Sequence, residues 1–166
     1  MAEHLVRLVR EAVPPGTGLL VDAFAGVGTF GLSVADRARE VVAIESDAAA
    51  VAAAVENAVG MPNITLIEGS AVEGLESLSE APDALIVDPP RAGLPRGLHT
   101  YLERRRPPTI IYVSCEPSTL ARDAGRLSEI GYRLDTCQPV DMFPHTFHTE
   151  TVSVFRRSIA VGSAPP

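Results

Sequence analysis

Leu19-Leu20-Val21-Asp22-Ala23-Phe24-Ala25-Gly26-Val27-Gly28-Thr29-Phe30-Gly31 is the stretch on which the fold turns. A short apolar run passes through two glycines into a segment of helical pattern, and such a turn lets backbone come close to a ligand. Alone, it fits a tight turn in any α/β protein. Glu45 lies about 20 residues on, at the end of the next apolar run, where a carboxylate can accept both hydroxyls of an adenosine ribose. The third glycine of a dinucleotide fingerprint is missing, which disfavours a pyrophosphate ligand.

Outward from this stretch, apolar runs with β-branched residues alternate with longer helical stretches. Strands are expected at Leu19 to Phe24, Val41 to Glu45, Ile64 to Glu68, Ala84 to Asp88 and Ile110 to Ser114, and late in the chain at Arg133 to Val140 and Thr149 to Arg157. Helices are expected between them, at Thr29 to Arg37, Ala48 to Val59, Ala71 to Leu78, Pro95 to Arg105 and Pro117 to Ile130. This alternation is that of a mostly parallel sheet covered on both faces, so the fold class is α/β. Asp47 suits the N-cap of the alanine-rich helix, and Gly60 with Pro62 ends it. Residues 1–15 carry Leu5, Leu8 and Val9 at helical spacing, and residues 158–166 read as a frayed tail.

At 166 residues, 46% of them hydrophobic and 21% charged, the chain fits a single globular domain over residues 1–166. It contains neither an apolar run of about 18 residues nor a signal-peptide pattern at its start, so a cytoplasmic location without a membrane partner is expected. Cys115 and Cys137 are the only cysteines and fall in separate expected strands, so they make no disulfide framework and leave at least one thiol. The net charge of −7 argues against a free-standing nucleic-acid binder, because phosphate contacts need Lys or Arg. Its distribution argues less strongly: residues 1–90 carry −10, residues 91–133 carry +4 and the remainder −1.

The positive segment coincides with the residues that propose a chemistry. Asp88-Pro89-Pro90-Arg91-Ala92-Gly93-Leu94 closes the fourth expected strand, and Tyr112-Val113-Ser114-Cys115-Glu116-Pro117-Ser118-Thr119-Leu120-Ala121-Arg122-Asp123 closes the fifth. Pro117 is a favoured first helical residue, which sets Cys115 at a helix N-terminus, where partial positive charge favours a thiolate. A cysteine without such neighbours is more often an inert core residue, and that is the expectation for Cys137. Asp141-Met142-Phe143-Pro144-His145-Thr146-Phe147-His148-Thr149-Glu150 follows. Two histidines and one distant thiol make no convincing ligand spacing, so no metal is expected.

Together these four segments resemble the RNA (uracil-C5) methyltransferase family, in the family's order, across about residues 19 to 157. The resemblance implies a Rossmann-like class I methyltransferase fold, with a seven-stranded sheet whose last two strands form an antiparallel hairpin at its edge. It implies S-adenosyl-L-methionine as cofactor, bound by Phe24, Gly26, Gly28, Thr29, Glu45 and Asp88, with Thr29 near its amino-acid end. The implied partner is rRNA or tRNA, touched by Asp88, Arg91, Arg122 and His145. Carbon 5 of uracil is too poor a nucleophile to attack a sulfonium methyl group until a thiolate has added to carbon 6. Cys115 is the implied nucleophile and Glu150 the base that later removes the carbon 5 proton.

Two residues depart from the family's pattern. Ser70 stands where an aspartate usually meets the adenine edge, and Glu116 stands where a neutral Asn usually follows the nucleophile. A carboxylate beside a thiol opposes its ionisation. The family's N-terminal OB-like RNA-binding domain and central segment have no counterpart in this sequence, which reads as the catalytic third of a longer protein, a truncation or a minimal relative. Two other readings stand beside the first. One is a fold that binds the cofactor without turning over alone; the other is an amino-nitrogen methyltransferase, suggested by Asp88-Pro89-Pro90. A cytosine target is disfavoured because Arg91, not a cysteine, follows Pro90.

Overall fold

Strand β1 (Thr17–Asp22) buries Leu19, Leu20, Val21 and Asp22 in succession, the mark of a strand covered on both faces. The structure, a computed structural model, describes residues 2–141 and 149–158. Around β1, strands β2 (Ala38–Glu45), β3 (Ile64–Glu68), β4 (Ala84–Val87), β5 (Thr109–Ser114), β6 (Tyr132–Asp141) and β7 (Thr149–Arg157) complete a seven-stranded sheet of order β3-β2-β1-β4-β5-β7-β6. Pairs among β1 to β5 are parallel, whereas β7 runs antiparallel to both β5 and β6. The chain builds outward from β1 through β2 to β3, then crosses back to start again at β4. The carboxyl ends of β1 and β4 therefore form the switch point at which open α/β sheets bind ligands.

Alternation along the strands feeds two cores. On one face Val21, Leu85, Ile110 and Tyr112 pack with Leu75 of α3 (Ala71–Glu76), Leu98 and Leu102 of α4 (Arg96–Arg105) and Leu127 of α5 (Pro117–Glu129). On the other, Leu20, Ile86, Ile111 and Val113 pack with Leu5 and Val9 of α1 (Ala2–Ala12) and with Phe30 and Val34. Helix α2 (Ala48–Asn57) is capped by Asp47, whose side chain accepts from the Ala49 and Ala50 N–H groups, and Gly60 at φ +84° follows it. No described helix is long and apolar enough to cross a membrane.

Three expectations change on the structure. Strand β1 ends at Asp22 instead of Phe24: Ala23 N–H still reaches Ile86 O of β4 and Ala25 N–H reaches Ile44 O of β2, both at 3.0 Å, but the chain then turns at Gly26, φ +53°, and Gly28 N–H closes onto Ala25 O at 2.8 Å. The helix expected from Thr29 is only a 3₁₀ turn over Leu32–Arg37, without a side-chain cap, since the chain enters through Gly28 at φ +92° and Gly28, Thr29 and Gly31 are weak helix formers. Cys137, expected in the core, is exposed. It lies on β6, the outer edge strand, next to a bulge between Leu134 and Thr136.

Candidate active site

The wall built by β1 and β2 is organised around Glu45. Its Oε2 accepts from Gly26 N–H at 2.8 Å, and its Oε1 from Ser46 N–H at 2.6 Å and Asp47 N–H at 2.8 Å. Partial burial pushes this carboxyl up, but the N–H groups of Asp47, Gly26 and Ser46 outweigh it and hold the pKa below the ordinary glutamate value. Oε1 also meets Ser46 Oγ at 3.3 Å and is fully occupied, whereas Oε2 has one donor and keeps acceptor capacity for an incoming hydroxyl. Gly28, at φ +92°, brings the turn so close to the next segment that a Cβ would stand 2.6 Å from Leu32 Cγ. A cleft of about 200 Å³ opens here, lined by Phe24, Glu45, Ser46, Ser70, Val72 and Pro95. Its apolar sides with a fixed carboxylate at one end suit a nucleoside.

Ser70 lines that cleft but is committed to its helix. Its Oγ accepts from Glu73 N–H at 3.2 Å and donates to Glu73 Oε2 at 2.7 Å, closing a capping box on α3. Thr29 lies in a second cleft, of about 290 Å³, with Val27, Gly28, Leu32, Asn57 and Met61.

The facing wall is built by β4, β5 and β7. Antiparallel pairing sets Ser114 opposite Thr151, and Thr151 Oγ1 donates to Ser114 O at 3.2 Å. Beyond this last pair the chain leaves β5 at Cys115, a half-buried free thiol, while Glu150 continues β7, paired with Val140 of β6. Glu116 is the N-cap of α5: its Oε1 accepts from Ser118 N–H at 3.3 Å and Ser118 Oγ at 2.7 Å.

Asp88 follows β4 at the mouth of this wall, solvent-accessible at its outer edge. Desolvation of its carboxyl, with the Asp22 and Glu150 carboxylates nearby, pushes its pKa up to about 7. Asp22 lies deeper, fully buried, and desolvation raises its pKa to about 6 against the Gly31 and Phe24 N–H groups that lower it. Its Oδ1 has no hydrogen-bond partner among the described residues. Arg91 is exposed, with its carbonyl accepting from Thr119 Oγ1 at 3.0 Å. Arg122 donates from Nε and Nη2 to Asp123 and from Nη2 to Ala92 O. His145 and its neighbour His148 lie outside the described residues.

Two residues escape a reading of the sequence. Asp22 could have been flagged as an ionisable residue closing an otherwise apolar strand. Asp123 shares the buried stripe of α5 with Leu120 and Leu127, so its helical spacing already puts a carboxylate where an apolar side chain belongs.

Residues 1–158 match the family described as tRNA (uracil-5-)-methyltransferase. An uncharacterized RNA methyltransferase of Thermosynechococcus vestitus is 41% identical over 95% of this chain and 36% of its own length. One from Enterococcus faecalis is 42% identical over 95% of this chain and 36% of its own length. The crystal structure of Pyrococcus abyssi tRNA (uracil-54, C5)-methyltransferase in complex with S-adenosyl-L-homocysteine superposes with a TM-score of 0.81 at 39% identity, over 93% of this chain and 38% of that one. The chain thus spans little more than a third of the length of these relatives.

Proposed function

The chain belongs to the tRNA (uracil-5-)-methyltransferase family, and we propose that it transfers a methyl group from S-adenosyl-L-methionine to carbon 5 of a uridine in tRNA or rRNA through a covalent adduct with Cys115. The observation that carries this reading is a half-buried thiol directly after β5 and at the start of α5, with Glu150 on the neighbouring strand β7, one residue before the Thr151 that pairs with Ser114. A nucleoside-sized cleft ending at Glu45 supports the donor. Arginines clustered in residues 91–133 support an RNA partner through phosphate contacts.

When bound, S-adenosyl-L-methionine supplies an electrophilic methyl group on a positively charged sulfur. Phe24 would line its adenosine, Glu45 would accept from its ribose through Oε2, and Ala71 and Val72 would border the adenine, with Ser70 engaged in its capping box. The Cys115 thiolate adds to carbon 6 of the uracil, and the ring becomes an enolate nucleophilic at carbon 5. Carbon 5 takes the methyl group as the donor's carbon–sulfur bond breaks onto sulfur. Glu150 then removes the carbon 5 proton, and the electron pair left behind restores the ring double bond and expels the thiolate. One proton is released per methyl group transferred. Asp88 and Arg91 are assigned to the uracil, Asp88 with a pKa near 7 that lets it give or take a proton at neutral pH.

RNA containing 5-fluorouridine tests the reading, because fluorine at carbon 5 cannot leave as a proton and the adduct persists. With donor present, the wild-type chain should form a denaturation-resistant complex, Cys115→Ala none, and Cys137→Ala as much as wild type. Complex formation surviving Cys115→Ala overturns the nucleophile; methyl transfer surviving it points to an amino nitrogen beside Asp88-Pro89-Pro90.

A further inference from the structure

Asp123 is only 1% exposed, yet it is a carboxylate, and its partners come from three different parts of the chain. Oδ2 accepts from Leu94 N–H at 2.8 Å and from the Tyr112 hydroxyl at 3.0 Å. Oδ1 accepts from Arg122 Nε at 3.1 Å and Nη2 at 2.9 Å. Arg122 Nη2 reaches on to Ala92 O at 2.7 Å, and Thr119 Oγ1 donates to Arg91 O at 3.0 Å. The loop backbone from Arg91 to Leu94 is thereby strapped flat onto α5. Gly93 permits the fit: at φ +85° its missing Cβ would collide with Arg122, Asp123 and Thr119. Burial and the neighbouring Asp123 also push the Tyr112 phenol well above its usual range, so its hydroxyl remains a donor.

What this strap joins matters more than its strength. The loop begins at Asp88 on the target wall and ends at Pro95, which lines the nucleoside cleft. Tyr112 lies on β5 just before Ser114, and α5 starts directly after Cys115 and Glu116. A buried ion pair is a weak source of stability, since its desolvation offsets most of its attraction. Its geometry is another matter, because hydrogen bonds of fixed direction specify one arrangement.

We propose that Asp123 is a positioning residue for the reaction: it locks the Asp88–Pro95 loop to the Cys115 helix, so that target contacts, thiol and cofactor cleft share one fixed geometry. This rests on the uridine reading above. Misplacement by about 1 Å can cost 10²-fold in rate, and that is the size of effect expected. Asp123→Asn sets an amide donor against donors that now meet a carboxylate. In the full chain it should slow adduct formation on 5-fluorouridine RNA about 10²-fold, while the donor dissociation constant changes by less than about fivefold. Gly93→Ala should do the same from the opposite side of the contact, and the double variant should be no slower than the slower single one. Tyr112→Phe, which removes one hydroxyl from the same oxygen, should slow the reaction about tenfold and serves if Asp123→Asn does not fold.

Hydrogen exchange supplies a readout that needs no RNA. The Leu94 amide should exchange at least about tenfold faster in Asp123→Asn while the amides of β1 and β4 keep their protection. Unchanged exchange at Leu94, or a loosened loop with a wild-type adduct rate, overturns the inference. A wild-type chain that forms no adduct strikes the uridine reading, and the strap is then judged on exchange.

Discussion

Glu45 and Asp88 are both carboxylates at the carboxyl ends of strands in one sheet, yet they stand on opposite sides of their ordinary pKa. Glu45 sits in a turn whose N–H groups converge on it, which holds it ionised. Asp88 has desolvation and two other carboxylates for company, which pushes it to about 7. The difference lies in the surroundings, not the side chain, and it suits the two tasks proposed for them. A group that must accept hydroxyls at every working pH is best held as a fixed anion. Groups that must pass protons during a reaction are best placed where ionisation is nearly balanced.

The sharpest way to break this division is to neutralise one carboxylate on each wall. Glu150→Gln should lower turnover on the order of 10³-fold, as expected for loss of a general base, and should let a methylated Cys115 adduct accumulate on ordinary uridine. Donor affinity should hold. Glu45→Gln should do the reverse, weakening donor binding by about 10–100-fold while the rate at saturating donor stays within a few-fold. Isothermal titration with donor and single-turnover methyl transfer read the two quantities separately. If either variant moves the other's quantity, the walls do not divide the work.

Stability against pH sharpens the same contrast with a smaller effect. Folded Asp22 keeps its proton to about pH 6, whereas an unfolded aspartate loses it near pH 4. Between those values the folded state binds more protons, so stability falls as pH rises and levels off above the folded pKa. Asp22→Asn has no such proton, and its amide can still accept from Gly31 N–H. The loss of stability between about pH 4 and 7 should shrink by roughly 2–3 kcal/mol. Glu45 carries the opposite sign, because its contribution is present above the ordinary glutamate pKa and lost as pH falls through the lowered value. Urea unfolding of Asp22→Asn at pH 4.5 and 7.5 tests the first sign, and unfolding of Glu45→Gln at pH 3 and 5 tests the second. An Asp22→Asn protein with the wild-type pH slope removes buried Asp22 from the account.

How far the sequence reveals this site depends on how local each signal is. Strands β3 and β7 have the expected ends and β4 and β5 differ by a single residue, because runs such as Ala84-Leu85-Ile86-Val87 are buried throughout and carry their own boundaries. Thr29 to Arg37 has the apolar spacing of a helix, but Gly28 and Gly31 weaken its first turn and only a 3₁₀ turn forms. Cys137 is expected in the core for want of functional neighbours, and nothing in its own segment tells that β6 ends up outermost. That Glu150 and Cys115 come to neighbouring strands depends on the pairing of Ser114 with Thr151, an antiparallel register that local pattern cannot supply. Likewise, Asp123 acquires its meaning from Leu94 and Tyr112, residues brought to it only by the fold.

The two departures, Ser70 and Glu116, are the finest test of the comparison, for the structure gives both the same occupation. Ser70 caps α3 beside the nucleoside-sized cleft, and Glu116 caps α5 directly after Cys115. Aspartate and asparagine cap helices as well as serine does, so the residues that the family pattern leads one to expect can take over both caps. Ser70→Asp should leave thermal stability within about 0.5 kcal/mol and tighten donor binding roughly two- to fivefold through a carboxylate facing the adenine amino group. Glu116→Asn should leave donor binding alone and speed alkylation of the Cys115 thiol by a similar factor, because an anion beside the nucleophile has gone. Iodoacetamide kinetics in a Cys137→Ala background and donor titration distinguish the two. If Ser70→Asp changes thiol reactivity, or Glu116→Asn changes donor affinity, the caps transmit between the walls, and the Asp88–Pro95 loop is the segment through which they would do so.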